Sequence, residues 1–508
     1  MAGETKLKLI VDDACRSSAR LAIGDGEPSV CESIYFDNAK LDLSRSRVEL
    51  CLRRSAGQVV QVLTMRAQND NVFARVSHEL KLSDLEPNIE HARSFLPASI
   101  GQTISRSRLR PRFRASTDRI SHFITNKDCI ANISFDQGVM ETPRRAEPIS
   151  EIGLELKSGR LDAFAKECLS ILDKVPAALL VECNASRGYR LVSGNPARAV
   201  RSNRVMVVPQ TPLPQAIRHI LRQGLQQFLD NHPAVTLEGE AESIHQMRVG
   251  MRRLRSAIRM FSPVLCVNEI SVALASVRAL FAKLGDVREA DVFLQETLPQ
   301  IGEAGLGDRL EAVLRDEIEI FRRGAYGDAR EVLMSPDFAR LAVRLNGWVE
   351  AGNWLKAEQP VDALLTERAA EDFAGPRVRR LYANLLRCGA KAEHGTLNDW
   401  HRARIAAKRL RYGGEALFGV LDPKIDAGQF AKRIGRLQTL LGRLNDLEAA
   451  ALLLDRVRPT VKGANRRNFE AAQQYCRGWS AATARGLIAR AKDAMQDLNG
   501  PELAQSFS

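Results

Sequence analysis

A basic motif that occurs twice, each time followed by the same second element, constrains this chain more than any other feature. Residues 245–255 read HQMRVGMRRLR and residues 401–411 read HRARIAAKRLR. Both fit H-x-x-R-[VI]-x-x-[RK]-R-L-R, with seven of eleven positions matched. The second element is LGDVREADV at 284–292 and LGRLNDLE at 441–448, and it follows the first by 39 residues in one copy and 40 in the other. Two elements at matched offsets, about 156 residues apart, read as a duplicated unit.

The spacing is helical. At 100° per residue from His245, Arg248, Arg252, Arg255 and Arg259 all fall within roughly 80° of arc. His401, Arg404, Lys408 and Arg411 repeat that arc, with Glu415 in place of the fifth cation. Ile244, Met247, Met251, Leu254 and Ile258 occupy the opposite sector and can bury a core. Like charges along one face repel, and the first stripe contains no acid. Two such stripes facing one groove would hold a linear polyanion, with counterion release adding to affinity. The alternative is a pair of solvated faces. LGDVREADV and LGRLNDLE read as a Gly turn with polar residues that cap a helix or pair with the stripe, and Asp291 and Asp446 as groups that orient Arg side chains.

At 508 residues the chain is too long for one core. Its net charge of +13 is uneven. Residues 1–200 hold 29 cations against 25 acids, and residues 201–508 hold 45 against 36, only 8 of the 45 being Lys. Arg matches phosphate oxygens in pairs and keeps its charge when partly buried. The nine cysteines show neither a C-x-x-C pair nor a Cys/His cluster, which reads as reduced thiols in a cytosolic protein. The start of the chain lacks the apolar core of a signal peptide, and no stretch approaches the ~20 apolar residues of a membrane span. A cytoplasmic location is expected.

Residues 1–195 are expected to be α+β. TKLKLIV, VELCLRR and ISEIGLELK alternate apolar and polar positions, as strands of an antiparallel sheet with two unlike faces do. Arg and Glu share the polar faces, and a closed barrel with a charged lumen accommodates that. Residues 196–213 lie in a Pro-rich stretch that reads as a linker. From 214 to 500 the chain reads as all-α, in two repeats of about 214–350 and 370–500.

The paired motifs, HQMRVGMRRLRSAIRMF with LGDVREADV and HRARIAAKRLRY with LGRLNDL, resemble the CHAD domain, the conserved histidine α-helical domain. The resemblance covers about 206–500. It implies two duplicated four-helix bundles whose basic helices line a groove, with inorganic polyphosphate as ligand. By motif position it implies binding through His245, Arg248, Arg252, Arg253 and Arg255, and through His401, Arg404, Lys408, Arg409 and Arg411. Arg259 joins them from the stripe. Some members of the family are associated with polyphosphate or polyhydroxyalkanoate granules.

Residues 1–195 resemble the CYTH domain, the triphosphate tunnel fold, through ETKLKL, SIYFDNAKLDLSRSRVELCLRR, ISEIGLELKSG and SRGYRL. That resemblance implies an eight-stranded antiparallel tunnel, Mg²⁺ or Mn²⁺ on inward Glu, triphosphate on inward Lys and Arg, and metal-assisted phosphoanhydride hydrolysis. It places a catalytic role on Lys8, triphosphate contacts on Arg53, Arg54 and Arg119, and metal ligands on Glu4, Glu151 and Glu155. The family pattern is degenerate here. Its opening E-x-E-x-K becomes Glu4-Thr5-Lys6-Leu7-Lys8, its three alternating Glu become Glu151-Gly153-Glu155, and Thr64 replaces a Lys. Ser116 and Asp118 stand where cations are expected, and Ser77 stands between Arg75 and Glu79. Weak or absent hydrolysis is the expectation.

Three functions therefore stand open: a polyphosphate-binding protein with a weak or inactive tunnel, a Mg- or Mn-dependent triphosphatase, and a charge-driven nucleic-acid binder. Aromatic residues make up 6% of the chain and are not interleaved with the stripes as stacking platforms would be, which weighs against the third.

Overall fold

A computed structural model describes residues 4–65, 73–105, 108–202, 206–352, 354–355, 369–421 and 426–500. Two compact units emerge. The first is 1–199 with 229–240 and 331–351, and the second is 200–228, 241–330 and 352–508. The units are thus discontinuous in sequence, unlike the 1–195 and 214–500 segments read from composition. Of the expected linker, residues 203–205 lie outside the described residues. The amides of Ala197 and Ala199 are pinned by Glu238 and Glu240.

Nine strands build the first unit: β1 (Glu4–Ile10), β2 (Glu27–Asp37), β3 (Val48–Ser55), β4 (Gln58–Met65), β5 (Ala74–Leu82), β6 (Arg110–Thr125), β7 (Cys129–Glu141), β8 (Ala146–Gly159) and β9 (Ala178–Leu179). Their order is β5-β4-β3-β2-β6-β7-β8-β1-β9. The Glu4↔Arg75 pairing of β1 with β5 closes an eight-stranded antiparallel barrel, and β9 adds outside the ring on β1. Closure leaves the eight strands without a free edge. The alternation of β1 dictates its faces: Thr5, Leu7 and Leu9 are buried, while Glu4, Lys6 and Lys8 line the interior. The helix Leu161–Lys174 carries a buried apolar stripe, and Pro336–Ala351 packs on it. There Arg340 donates to the Leu172 carbonyl at 2.7 Å, and Gly347 sits against Ala165.

One end of the barrel is filled. Tyr35, Cys51, Val62, Phe113, Ala115, Met140 and Ile149 form an apolar plug with Ala185 and Tyr189 of the helix Asn184–Ser193. Tyr189 donates to the Phe36 carbonyl at 3.1 Å. Arg187, on the same helix, is buried between Glu147 and Glu151.

The second unit contains most of the helices of both repeats, the last residues of Leu213–Asp230 and Asp308–Leu333 falling in the first. In the first repeat they are Leu213–Asp230, Ala241–Met260, Ser271–Val292 and Asp308–Leu333, the third continuing through a π-turn at Phe293–Thr297 into Leu298–Glu303. In the second they are Ala370–Glu393, Leu397–Gly414, Ala427–Val457 and Ala464–Leu498. Each basic motif lies on the second helix of its repeat. Each LG-element lies inside the third helix, so Gly285 and Gly442 are mid-helix rather than in turns, contrary to the sequence expectation. The third and fourth helices of the two repeats share one core: Phe293, Leu298 and Ile318 pack with Leu453, Val457 and Phe469.

The first basic helix is seated by close backbone contact. A Cβ on Gly250 would lie 2.4 Å from the Phe228 amide nitrogen, and one on Gly224 would lie 2.7 Å from that of Leu254. Gly250→Ala is expected to cost about 1–3 kcal/mol through overpacking, read as a lowered unfolding midpoint. A surface control such as Gly478→Ala, which would meet nothing within 4 Å, is expected not to lower it.

Candidate functional site

The stripe residues of both repeats converge. Ala241–Met260 and Leu397–Gly414 touch where the Gly413 position approaches Met260 and Ser256. Arg252 of the first helix donates to the Tyr412 hydroxyl of the second at 3.1 Å and lies over its ring. Gln438 donates to the same hydroxyl at 3.1 Å and accepts from Arg411 at 3.0 Å. Burial alone would raise the Tyr412 phenol, but Arg252 and these hydrogen bonds outweigh it and hold the group below its ordinary value.

Lys408 is the electrostatic centre. Burial drives its amine down to about 6, and Arg252, Arg404 and Arg248 add repulsion. Asp446 opposes this from the third helix of the second repeat, with its own carboxyl raised by burial. Neither Lys408 nor Arg404 makes a hydrogen bond to any described residue, and the buried Arg404 Nε has no partner. His245 is pushed down to about 4 by burial, then by Arg288, with Arg252 and Arg248 contributing.

Arg248 falls to about 10 through burial and the neighbouring Arg252. It donates to the Phe281 carbonyl at 2.6 Å and stacks over the Phe281 ring, where Arg255 also lies. A Cβ on Gly285 would crowd the Arg248 guanidinium at 3.0 Å, whereas one on Gly442, at the matching place in LGRLNDLE, would meet nothing within 4 Å. Arg259 and Arg409 continue the cationic surface, each repelling the other across the helix pair.

Two motif positions behave differently. Arg253 lies 80° from His245 on the helical wheel, off the stripe, and donates to Gln227 at 2.6 Å on the neighbouring helix. It is a packing residue in this structure. His401 turns toward a largely apolar cleft of about 270 Å³ with Trp400, Leu441 and Leu444. Asp291 orients Arg322, at 2.6 Å, rather than a stripe residue. Sequence reading missed Phe281, Arg278 and Arg288 on the third helix and Tyr412 one residue past the motif. The only sequence signal for them is the matched offset of the second element.

In the barrel, alternate residues of the eight strands surround a cavity of about 230 Å³. Lys6, Lys8, Arg53 and Arg119 face it together with Glu4, Glu49, Asp136 and Glu155. Arg54 does not. One residue from Arg53, it emerges on the outer face and pairs with Glu32 at 2.6 Å, so its expected triphosphate contact is corrected by strand periodicity. The same parity places Ala115, Thr117 and Arg119 inward, so Ser116 and Asp118 mark no missing lumen cations. Arg119 grips Asp136 through Nε and Nη2 at 2.6 and 2.9 Å. Lys8 donates to Glu151 at 2.8 Å and to Asn184 at 2.6 Å. Glu151 sits at the plugged end, 2% exposed and held by Lys8 and Arg187, which lower its carboxyl against the burial that would raise it. Burial raises Glu49, whose carboxylate accepts the Cys183 thiol at 2.9 Å.

Residues 219–455 match the family model of the CHAD domain. Over those residues the helical segment is similar to CHAD domains. The CHAD domain of the plant Ricinus communis matches at 27% identity and a TM-score of 0.50, over 59% of this chain and 96% of that one. An uncharacterised protein of Mycobacterium tuberculosis is 24% identical over 82% of this chain and 80% of its own length. A Hippeastrum protein described with a dominant triphosphatase activity aligns at 16% identity and a TM-score of 0.26, over 38% of this chain and 97% of that one. Among the described residues, no helix is long and apolar enough to cross a membrane, and all nine cysteines are free thiols.

A negative charge placed beside Lys408 favours the protonated amine, which burial and the neighbouring Arg hold down at about 6. At pH 7.5, binding of long-chain polyphosphate is expected to take up about one proton per chain, measured by calorimetry in buffers of different ionisation enthalpy. Lys408→Met is expected to abolish most of that uptake. Without ligand the sign reverses for stability. The folded amine is depressed below its unfolded value, so Lys408 makes the fold more stable as pH rises above about 6 toward the ordinary lysine range.

Proposed function

We propose that this protein binds inorganic polyphosphate through the CHAD surface formed by Arg248, Arg252, Arg255, Arg259, Arg404, Lys408, Arg409 and Arg411, with little or no hydrolysis in the barrel. The observation that carries this reading is Lys408: a half-buried amine faced by three Arg, with no hydrogen-bond partner among the described residues. Such a cluster destabilises a protein left alone, and an anionic chain laid across it offsets the repulsion. Arg404 Nε, buried and unpartnered, supplies a further donor for a phosphate oxygen.

A nucleic acid is disfavoured by the roles of the aromatic rings. Phe281 and Tyr412 lie beneath guanidinium groups, so they stiffen the cations and do not offer free faces to bases. A repeating phosphate with no base to stack suits this surface better. The resemblance to granule-associated relatives makes a cytoplasmic polyphosphate or polyhydroxyalkanoate granule the natural setting to examine.

The test is a titration with long-chain polyphosphate at physiological salt, on wild type and on Arg252→Glu/Lys408→Glu. The variant is expected to lose at least about tenfold in affinity, and a shallower salt dependence is expected because fewer counterions are released. Helical circular dichroism is expected to persist. Equal binding by the variant would sink the proposal, as would displacement of polyphosphate by RNA at equal phosphate concentration.

A further inference from the structure

Three lysines and three glutamates decide what the barrel can hold. Lys6 Nζ lies 2.6 Å from Glu4 Oε2 and 3.6 Å from Glu155 Oε1. Lys157 Nζ takes the same Glu155 oxygen at 2.6 Å. The strand register accounts for this, since Lys6 is the direct cross-strand partner of Glu155. Burial would raise the Glu4 carboxyl, but Lys6 and then Lys157 hold it below its ordinary value. Gly153 stands opposite Lys8, where the alternating pattern lacks a carboxylate, and Glu151 is occupied by Lys8 and Arg187.

This donor set does not fit Mg²⁺ or Mn²⁺. A hard divalent cation needs several free oxygens in a near-octahedral shell. Here Glu4 and Glu155 already hold an ammonium between them, Asp136 is gripped by Arg119, and Glu49 accepts the Cys183 thiol. Among the described residues, no group of three or more His, Cys, Asp and Glu could hold a metal ion.

We propose that the Lys6 ammonium is a tethered substitute for the divalent cation, so that the barrel takes a short phosphate anion without metal. An ammonium carries three donors. Lys6 donates one to Glu4 and pairs with Glu155 by charge alone at 3.6 Å, and Lys8 spends two on Glu151 and Asn184, so Lys6 keeps two donors and Lys8 one. Arg53 approaches a described carboxylate only at 3.9 Å, on Glu79, and makes no hydrogen bond to a described residue. Arg119 keeps Nη1, since Asp136 engages only Nε and Nη2. These remaining donors line one cavity and match the oxygens of a di- or triphosphate. The ligand is bound and not cleaved, because no group replaces the metal-activated water.

The inference concerns the barrel alone and is tested apart from the CHAD surface. The full chain carrying Arg252→Glu/Lys408→Glu is titrated calorimetrically with tripolyphosphate in excess EDTA. One site is expected, weakened at least about tenfold by adding Arg53→Met. In parallel, electron paramagnetic resonance follows free Mn²⁺ without phosphate. The signal is expected to stay unchanged with the parent chain and to fall with Lys6→Glu, which returns a carboxylate to the E-x-E-x-K position. Lys6→Met, which removes the charge without adding a ligand, is expected to weaken tripolyphosphate in EDTA and to leave Mn²⁺ free. The proposal fails if the parent chain depletes free Mn²⁺, or if tripolyphosphate binding in EDTA is absent or indifferent to Arg53→Met and Lys6→Met.

Discussion

Repulsion among cations on two helices is the constraint around which the helical half is arranged. Arg248, Arg252, Arg404 and Lys408 are brought within mutual influence, and burial, reinforced by the Arg charges, pushes the Lys408 amine down to about 6. A surface of this kind persists only if the scaffold behind it is strong. The shared core of Phe293, Leu298, Ile318, Leu453, Val457 and Phe469 supplies that scaffold. Close glycine contacts at 224 and 250 fix the first basic helix against its neighbour. Duplication then has a physical purpose: one stripe is a solvated face, whereas two stripes in contact partly bury a lysine and surround it with Arg charges.

Aromatic and amide groups keep that field ordered. Tyr412 accepts from Arg252 and Gln438 together, joining the two repeats through one oxygen. Phe281 performs the corresponding service in the first repeat by lying under Arg248 and Arg255. Guanidinium groups stacked on rings lose less freedom on binding than free ones, so part of the ordering cost is met before a ligand arrives. Asp446 acts in the opposite sense, partly offsetting the repulsion on Arg404 and Lys408.

Much of this was legible in the chain. The 100° spacing of His245, Arg248, Arg252 and Arg255 put them on one helix face, and the duplication announced a partner face. The alternation of Glu4, Lys6 and Lys8 gave the barrel its charged interior. Errors arose where motif membership was taken for orientation. Arg253 belongs to the motif but points to Gln227, and Arg54 adjoins Arg53 but leaves the barrel on the other side. Periodicity would have rejected both. Phe281, Arg278 and Arg288 were beyond sequence reading because their place depends on how the third helix packs against the second. Gly285 looked like a turn because its small size was credited to backbone conformation, while the structure uses it to admit Arg248.

The apolar plug beneath the Asn184–Ser193 helix makes the barrel a cup instead of a pipe. A pipe can be threaded, and a long chain can be worked on at any point along its contour. A cup has one mouth, so it meets a polymer only at its tip. The number of chain ends, not the total mass of phosphate, would then set how often this cavity is filled. A few long chains and many short ones of equal phosphate content would differ greatly to the barrel.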